Sequence, residues 1–220
     1  MRNATMNIIS NNCIGGFIYR DILKTEYATP FIWTAMEHNE FFELCENLRT
    51  INLNDIQETL DTKSVYTENR SALLIDKKYT LAFHHVWKDD NYNTPTIIKE
   101  WGNGINIKYK NPFEYIKSKY IQRLARMNLA NPTIFCFYDA GKPTEDVYKI
   151  WNACEKQKAY GIIITEVPIK NKSNKVLVLK SENSWTTEPL GWAPSLLKAH
   201  SQHIKDFLSA ASLTQYPLDP

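Results

Sequence analysis

Near the start of the chain, the stretch MNIISNNCIGGFIYRD combines reactive and polar side chains with a pair of glycines. Cys13 is a candidate nucleophile, because a thiolate at the start of a helix is stabilised by the helix dipole. Gly15 and Gly16 let a ligand approach the backbone, whose amides would suit a phosphate or a carboxylate, although a purely conformational role is equally open. Asn11 and Asn12 either contact that ligand or only shape the turn.

Two adjacent histidines, His84 and His85, end an apolar strand. Neighbouring side chains of a strand point to opposite faces, so the two rings cannot serve one pocket without a local bulge. Histidine titrates near neutral pH, and we therefore consider one of them a general acid or base and the other structural.

A row of basic side chains follows helical spacing at Lys119, Arg123 and Arg126. Such a row suits phosphate or carboxylate groups, which arginine can bind through two hydrogen bonds. Between Asn103 and Asn128 there are six Lys or Arg and one acid, a local charge of +5 in a chain whose net charge is +2. The alternative is a solvated helix face.

Composition limits the class of protein. The 220 residues are 43% hydrophobic and 12% aromatic, enough for a substantial core, and we predict one α/β domain over 1–220, or two closely packed halves, 1–110 and 111–220. The balanced charge argues against nucleic acid as a partner. No apolar run approaches the roughly 20 residues that span a bilayer, so we expect no stable membrane insertion and a cytoplasmic location.

The order of elements predicts how these residues are positioned. Buried strands alternate with helices, and SALLID and YTLAFHHV form a hairpin across Lys77 and Lys78. Helices are predicted at Glu37 to Leu48, from NPFE onward, from Thr144, and at Ala199 to Ala211. The result is a mixed α/β sheet with a central hairpin and helices on both faces.

In such sheets the functional loops leave the carboxyl ends of the strands. Those positions are Asn11 to Gly16, the two histidines, Asp139 to Lys142, and Glu166. We predict no metal and no cofactor, because the four cysteines lack CxxC spacing, no DxD signature is present, and His200 and His203 lack a third ligand.

Several blocks of the chain match a known family together: SNNCIGGFIYRD, YATPFIWTAM, AFHHV and YIQRLARMN. They resemble the bacterial exopolysaccharide-biosynthesis proteins grouped as domain of unknown function 1919. Four positions depart from the family pattern: His85 stands for Tyr, Tyr120 for Trp, Gln122 for the first Arg of a pair, and Thr29, a mild change, for Ser. These departures make His84 the better candidate of the two histidines.

The resemblance implies a Rossmann-like fold and an association with surface-polysaccharide synthesis, without an established reaction. We favour a glycosyltransferase whose partners are an activated, phosphate-bearing sugar or other anionic small molecule and a saccharide acceptor. Arg123, Arg126 and the loop amides would hold the phosphates, and His84 would deprotonate the acceptor. Tyr19 and Arg20, in the first block, join the candidate substrate-binding residues.

Two other functions stay open. One is acyl transfer or hydrolysis by Cys13 with His84 as the base. The other is a carbohydrate-binding or assembly protein without catalysis. Under the preferred hypothesis the strand-end turn, His84 and both arginines would converge at one edge of the sheet.

Overall fold

The structure is a computed structural model that describes residues 6–26, 28–59, 70–87, 96–99, 106–109, 112–139, 145–166, 168–181 and 192–213. The strands in these residues are β1 (Asn7–Ser10), β2 (Thr34–Ala35), β3 (Ile56–Thr59), β4 (Arg70–Ile75), β5 (Tyr79–Trp87), β6 (Thr96–Lys99), β7 (Asn106–Tyr109), β8 (Thr133–Tyr138), β9 (Tyr160–Thr165) and β10 (Val176–Lys180). The helices are α1 (Ile14–Phe17), α2 (His38–Asn47), α3 (Pro112–Leu124), α4 (Lys149–Gln157), α5 (Trp192–Ala199) and α6 (Ser201–Leu213).

The strands form an α/β fold, as predicted. Four parallel strands pair in the order β1-β8-β9-β10, and four antiparallel strands pair in the order β2-β5-β4-β3. A separate hairpin joins β6 and β7. Parallel and antiparallel strands therefore lie in different hydrogen-bonded sheets.

Both faces of the parallel sheet are covered, because successive side chains of its strands point to opposite sides. On one face Ile9, Phe135 and Ile163 pack with residues of α2, α3, α4 and the antiparallel sheet. On the other face Ile134 and Ile162 pack with residues of α1, α5 and α6. We call these the α2 face and the α1 face. The continuous apolar sequence of β8, TIFCFY, is what a strand buried on both sides requires.

The predicted hairpin is confirmed, with its tight turn one residue earlier than expected. Asp76 and Lys77 both have left-handed backbone conformations, with φ of 51° and 54°. Lys78 donates its N–H to the carbonyl oxygen of Ile75 at 3.1 Å. Two left-handed central residues give the turn a twist that matches the strands it joins.

Three predicted elements differ in extent. The apolar block TPFIWTAM predicts a second strand, but it contributes only the two residues of β2. The residues before β2 run beside β1, where Thr29 Oγ1 donates to Ile8 O and Ser10 N donates to Phe31 O. The helix predicted from Thr144 begins as a 3₁₀ turn, Glu145–Tyr148, and Thr144 itself lies outside the described residues. The terminal helix is preceded by a separate helix, α5.

Candidate active site

The carboxyl ends of β1, β8 and β9 lie side by side at one edge of the parallel sheet. The polar residues that follow these strands are Asn11 and Asn12, Asp139, and Glu166. Ligands of open α/β sheets bind outside this edge. The sequence-predicted candidates at the ends of these three strands are therefore brought together by the fold.

Asn11 extends the pairing of β1 with β8 through its side chain. Its Nδ2 donates to the carbonyl oxygen of Tyr138 at 2.9 Å, and its Oδ1 accepts from the N–H of Tyr138 at 3.0 Å. The Asn11 side chain is buried. Both ends of its amide are thus bonded to backbone, which gives Asn11 a structural role in place of the substrate contact expected from sequence.

The surroundings of Gly15 and Gly16 favour a conformational role for both glycines over contact with a ligand. A Cβ on Gly15 would lie 2.9 Å from Ser10 Cβ, and a Cβ on Gly16 would lie 2.3 Å from Trp33 Cε2. Two loop amides are already bonded within the loop, Ile14 N to Asn12 Oδ1 at 3.0 Å and Gly15 N to Ser10 Oγ at 3.4 Å. Close packing against Ser10 and Trp33 explains the glycines, and the proposed phosphate contact to these two amides loses its support.

Asp139 is a buried carboxylate at the carboxyl end of β8, with 2% of its surface exposed. Its Oδ2 accepts from Thr165 Oγ1 at 2.6 Å and from the N–H of Glu166 at 3.3 Å. A buried carboxyl group requires hydrogen-bond partners, and Thr165 and Glu166 provide two of them. Asp139 is therefore a stronger functional candidate than its sequence context indicated.

Glu166 is held by the neighbouring strand end. Its Oε1 accepts from the hydroxyl of Tyr138 at 3.0 Å, and Tyr138 belongs to the core of the α1 face. Asp139 instead lies two residues beyond Phe137, on the α2 face. The two carboxylates consequently stand on opposite sides of the same edge.

Cys13 is the most accessible of the four cysteines, being half-buried where the others are buried. It packs against the core of the α1 face. Burial raises the pKa of the Cys136 and Cys154 thiols to about 12 and raises that of Cys45 well above its ordinary value. These three thiols are therefore poor nucleophiles at neutral pH. Cys13 remains the candidate.

A π-helical segment, Ile18–Leu23, follows α1 and positions two predicted site residues. The hydroxyl of Tyr19 accepts from Ile8 N at 3.0 Å and donates to the carbonyl oxygen of Met6, and the ring is buried. Tyr19 thus supports β1, and this corrects its assignment as a substrate contact. Arg20 is partly exposed beside the loop, with its guanidinium 4.8 Å from the ring centroid of Phe17.

The guanidinium of Arg20 also lies 5.8 Å from the centroid of Trp33, the residue that covers Gly16. It forms two hydrogen bonds with Asp21, at 2.6 and 2.8 Å. Exposed ion pairs of this kind contribute at most about 1 kcal/mol.

Arg123 lies in α3 and Arg126 lies in the turn that follows it, and their side chains contact different parts of the protein. Arg123 Nη1 donates to the carbonyl oxygen of Ile32 at 2.9 Å, next to Trp33 and the loop. Arg126 pairs with Glu26 at 3.4 Å, and two residues after Arg126 the carbonyl oxygen of Asn128 accepts from Asn7 Nδ2 at 2.7 Å, at the start of β1. Arg126 therefore lies toward the opposite end of β1, which corrects the expectation that both arginines converge on the loop.

The backbone of His84 and His85 lies in β5, but their side chains lie outside the described part of the chain. Another histidine, His38, is not among the residues that the sequence pattern indicates. It is the first residue of α2, and its ring centroid is 4.9 Å from that of Phe137 near the end of β8. No strand-end signal marks it, because its position depends on how α2 packs on the sheet.

Two buried tyrosines predict a loss of stability at alkaline pH. Burial raises the pKa of Tyr19 and of Tyr120 far above the ordinary value near 10. The unfolded chain releases these protons above about pH 10, whereas the folded protein retains them. The free energy of unfolding is expected to fall above that pH by up to about 1.4 kcal/mol per pH unit for each tyrosine.

Urea unfolding between about pH 8 and 11 measures this slope. Tyr19→Phe and Tyr120→Phe should each lessen it, whereas Tyr160→Phe, at a half-buried position, serves as the control. An unchanged slope in both buried-site variants would contradict the assignment.

A comparison with known protein families identifies the family of this chain. Residues 1–185 match the family described as Domain of unknown function (DUF1919), a range that includes every strand described above. The chain belongs to the DUF1919 family. No curated protein and no solved structure matches it. The DUF1919 description names no reaction, so the association with exopolysaccharide synthesis stays a prediction.

Within the described residues, no cluster of three or more His, Cys, Asp or Glu side chains is arranged to hold a metal ion. None of the helices in that part of this DUF1919 protein is long and apolar enough to cross a membrane.

Proposed function

We propose that this DUF1919 protein transfers a sugar from an activated, phosphate-bearing donor to a hydroxyl group of a saccharide acceptor, in the synthesis of a bacterial surface polysaccharide. The observation that carries the proposal is the position of two carboxylates, Asp139 and Glu166, at the carboxyl edge of the parallel sheet. Asp139 accepts a hydrogen bond from Thr165, and Glu166 accepts one from Tyr138. Carboxylates accept hydrogen bonds from sugar hydroxyls, and this edge is where α/β sheets bind ligands.

The donor phosphate requires a cation, and Arg20 supports that part of the proposal. Its guanidinium lies against the rings of Phe17 and Trp33 beside the loop, and it forms an ion pair with the exposed carboxylate of Asp21. Arginine binds phosphate through two parallel hydrogen bonds, as it now binds Asp21. Charge that develops on the leaving phosphate would be stabilised there.

Thermal unfolding against a panel of ligands tests the proposal. The panel contains nucleotide sugars, free nucleotides, acyl-CoAs and oligosaccharides. A nucleotide sugar at about 100 times its Kd is expected to stabilise the fold by about 2.7 kcal/mol, a rise in Tm of roughly 5–10 °C. Arg20→Gln should abolish the rise.

Arg126→Gln is the matched control for Arg20→Gln. Each arginine forms an ion pair with an acidic side chain at the surface, Arg20 with Asp21 and Arg126 with Glu26, but Arg126 lies away from the loop. The control is expected to keep the ligand-induced rise. A rise with oligosaccharide alone would favour a binding module, and no rise with any phosphate-bearing sugar would contradict the proposal.

The half-exposed thiol of Cys13 favours acyl transfer or hydrolysis as the second candidate function. This function predicts a rise in Tm with an acyl-CoA and a covalent thioester on Cys13, detected by mass spectrometry of the intact protein. Cys13→Ser should not form the adduct. Full turnover by Cys13→Ser would reject this alternative.

A further inference from the structure

We infer that the indole ring of Trp33 stacks on the base of a nucleotide whose phosphates contact Arg20, so that the donor is a nucleoside diphosphate sugar. The use of the nucleotide as a sugar donor rests on the proposed function, whereas nucleotide binding rests on the geometry around Trp33. The Trp33 side chain is half-buried, so part of its ring is open to solvent.

Hydrogen bonds on both sides of Trp33 fix the backbone at the carboxyl end of β1. Two residues earlier, Phe31 O accepts from the N–H of Ser10, the last residue of β1, at 3.1 Å. Three residues later, the N–H of Met36 donates to the carbonyl oxygen of Asn11 at 3.0 Å. Trp33 therefore lies at the same edge of the parallel sheet as the two candidate carboxylates.

One face of the Trp33 ring lies against Gly16. A Cβ on Gly16 would be 2.3, 2.6 and 2.7 Å from the ring atoms Cε2, Cδ2 and Nε1. A point this near to three consecutive atoms of a ring lies over its face, because a point beside the edge would be farther from at least one of them. The ring of Phe17 meets the indole at an angle of 68°, so these two rings do not stack in parallel. We assign the base to the indole face opposite Gly16.

The backbone of Trp33 is strained in a way that local structure does not explain. Its φ of 57° is unusual for a bulky side chain. The other described residues with positive φ, glycine excepted, end a helix or form the hairpin turn: Lys24, Asp76, Lys77 and Lys158. Trp33 is instead held by distant groups, including Arg123, whose Nη1 donates to Ile32 O at 2.9 Å. Strained residues fixed in this way concentrate at ligand-binding sites.

A cation lies beside the same ring. The guanidinium of Arg20 is 5.8 Å from the centroid of Trp33 and 4.8 Å from that of Phe17. Arginine binds phosphate with the same two-bond geometry that it uses for a carboxylate. An aromatic face with an arginine next to it suits a ligand that joins a planar ring to an anion, and a nucleotide is such a ligand.

The position of Trp33 relative to the carboxylates favours a nucleotide over a lipid as the carrier of the sugar. Asp139 and Glu166 follow β8 and β9, which lie one and two strands from β1, or about 5 and 10 Å. A nucleoside diphosphate sugar carries its base and its sugar at opposite ends, so that Trp33 can hold one while the carboxylates hold the other. A prenyl-linked sugar has the same phosphates but no planar ring for Trp33.

Calorimetric titration tests the inference with six probes: ADP, GDP, CDP, UDP, inorganic pyrophosphate and farnesyl diphosphate. At least one nucleoside diphosphate is expected to bind wild type roughly 5- to 140-fold tighter than pyrophosphate, the range that stacking of one base provides. Trp33→Leu should remove most of this difference and leave the Kd of pyrophosphate unchanged. Trp33→Phe, which keeps an aromatic ring, should lose less.

Phe17→Leu is the matched control for Trp33→Leu. It removes the other ring that lies against Arg20, but Phe17 is only 7% exposed and cannot stack on a base. The preference for the nucleoside diphosphate over pyrophosphate should therefore persist in Phe17→Leu. The same preference in Trp33→Leu as in wild type would overturn the inference. So would wild-type binding of all four nucleoside diphosphates no tighter than pyrophosphate, or tighter binding of farnesyl diphosphate.

Fluorescence keeps the inference falsifiable if Trp33→Leu does not fold. The chain has six tryptophans, and a base stacked on one of them quenches its emission. The nucleoside diphosphate that binds most tightly should quench wild type, and it should bind Trp33→Phe without this quenching. Equal quenching in both proteins would assign the contact to another tryptophan and overturn the inference.

The inference and the proposed function fail in different experiments. A protein that is stabilised by a phosphate-bearing sugar but shows no preference for a base would keep the proposed function and lose the role of Trp33. A protein that binds a nucleoside diphosphate through Trp33 but forms no glycosylated product would lose the proposed function and keep the nucleotide site.

Discussion

Asn11→Ala is expected to lower the free energy of unfolding by about 4 kcal/mol. The substitution leaves the N–H and the carbonyl oxygen of Tyr138 without their amide partners at a position with 1% exposure. A buried backbone group that loses its partner costs about 2 kcal/mol, and two groups are affected. Urea unfolding measures the loss, which corresponds to a fall in Tm of roughly 8–16 °C.

Asn12→Ala is the matched control for this prediction. Asn12 is the next residue and also an asparagine, but its side chain is half-exposed and makes one bond, to the N–H of Ile14. Its removal should cost about 1 kcal/mol. If Asn11→Ala left stability unchanged and abolished ligand binding instead, the substrate contact expected from sequence would be restored.

Gly16→Ala is expected to destabilise the protein by about 3 kcal/mol, or roughly 6–12 °C in Tm. The added Cβ would lie 2.3 and 2.6 Å from two ring atoms of Trp33. Trp33 has a left-handed backbone, with φ of 57°, and its ring packs on Phe17 with centroids 4.8 Å apart. The ring therefore cannot withdraw without losing other contacts. The better helix propensity of alanine, about 1 kcal/mol, offsets only part of this cost.

Gly161→Ala makes the same chemical change in a less crowded place. The nearest atoms to its added Cβ lie at 3.1 to 3.2 Å, a contact that small side-chain shifts relieve. Its cost should stay under about 1.5 kcal/mol. Thermal unfolding compares the two variants, and an equal loss at both glycines would refute the packing role assigned to Trp33. Trp33→Ala combined with Gly16→Ala should not show the clash.

Local sequence signals predicted much of this fold. The uninterrupted apolar run of β8 and the Asn-Pro start of α3 act through neighbouring residues, and both elements are confirmed. The extent of β2 could not be predicted in this way. Residues before it bond to β1 through Thr29 and Phe31, so that an apolar stretch with strand character runs beside another strand without entering the antiparallel sheet.

The sequence predicted the location of the candidate site better than the contacts of its residues. Strand ends in the sequence pointed to Asp139 and Glu166, since carboxyl ends of parallel strands meet at one edge. The role of Asn11 depends on Tyr138, 127 residues away, and the position of His38 depends on its contact with Phe137. Contacts of this range leave no trace in local spacing, and only the packed chain shows them.

The pairing of β1 with β8 also sets the order in which the chain can fold. Asn7 of β1 pairs with Thr133 of β8, and these two residues lie 126 positions apart in the sequence. A ribosome that adds 5–20 residues per second leaves β1 without its sheet partner for about 6–25 seconds. Thr29 and Phe31, which bond to β1 from nearby in the chain, are available within a few seconds. The segment that contains Thr29 and Phe31 can therefore bond to β1 before β8 has been synthesised.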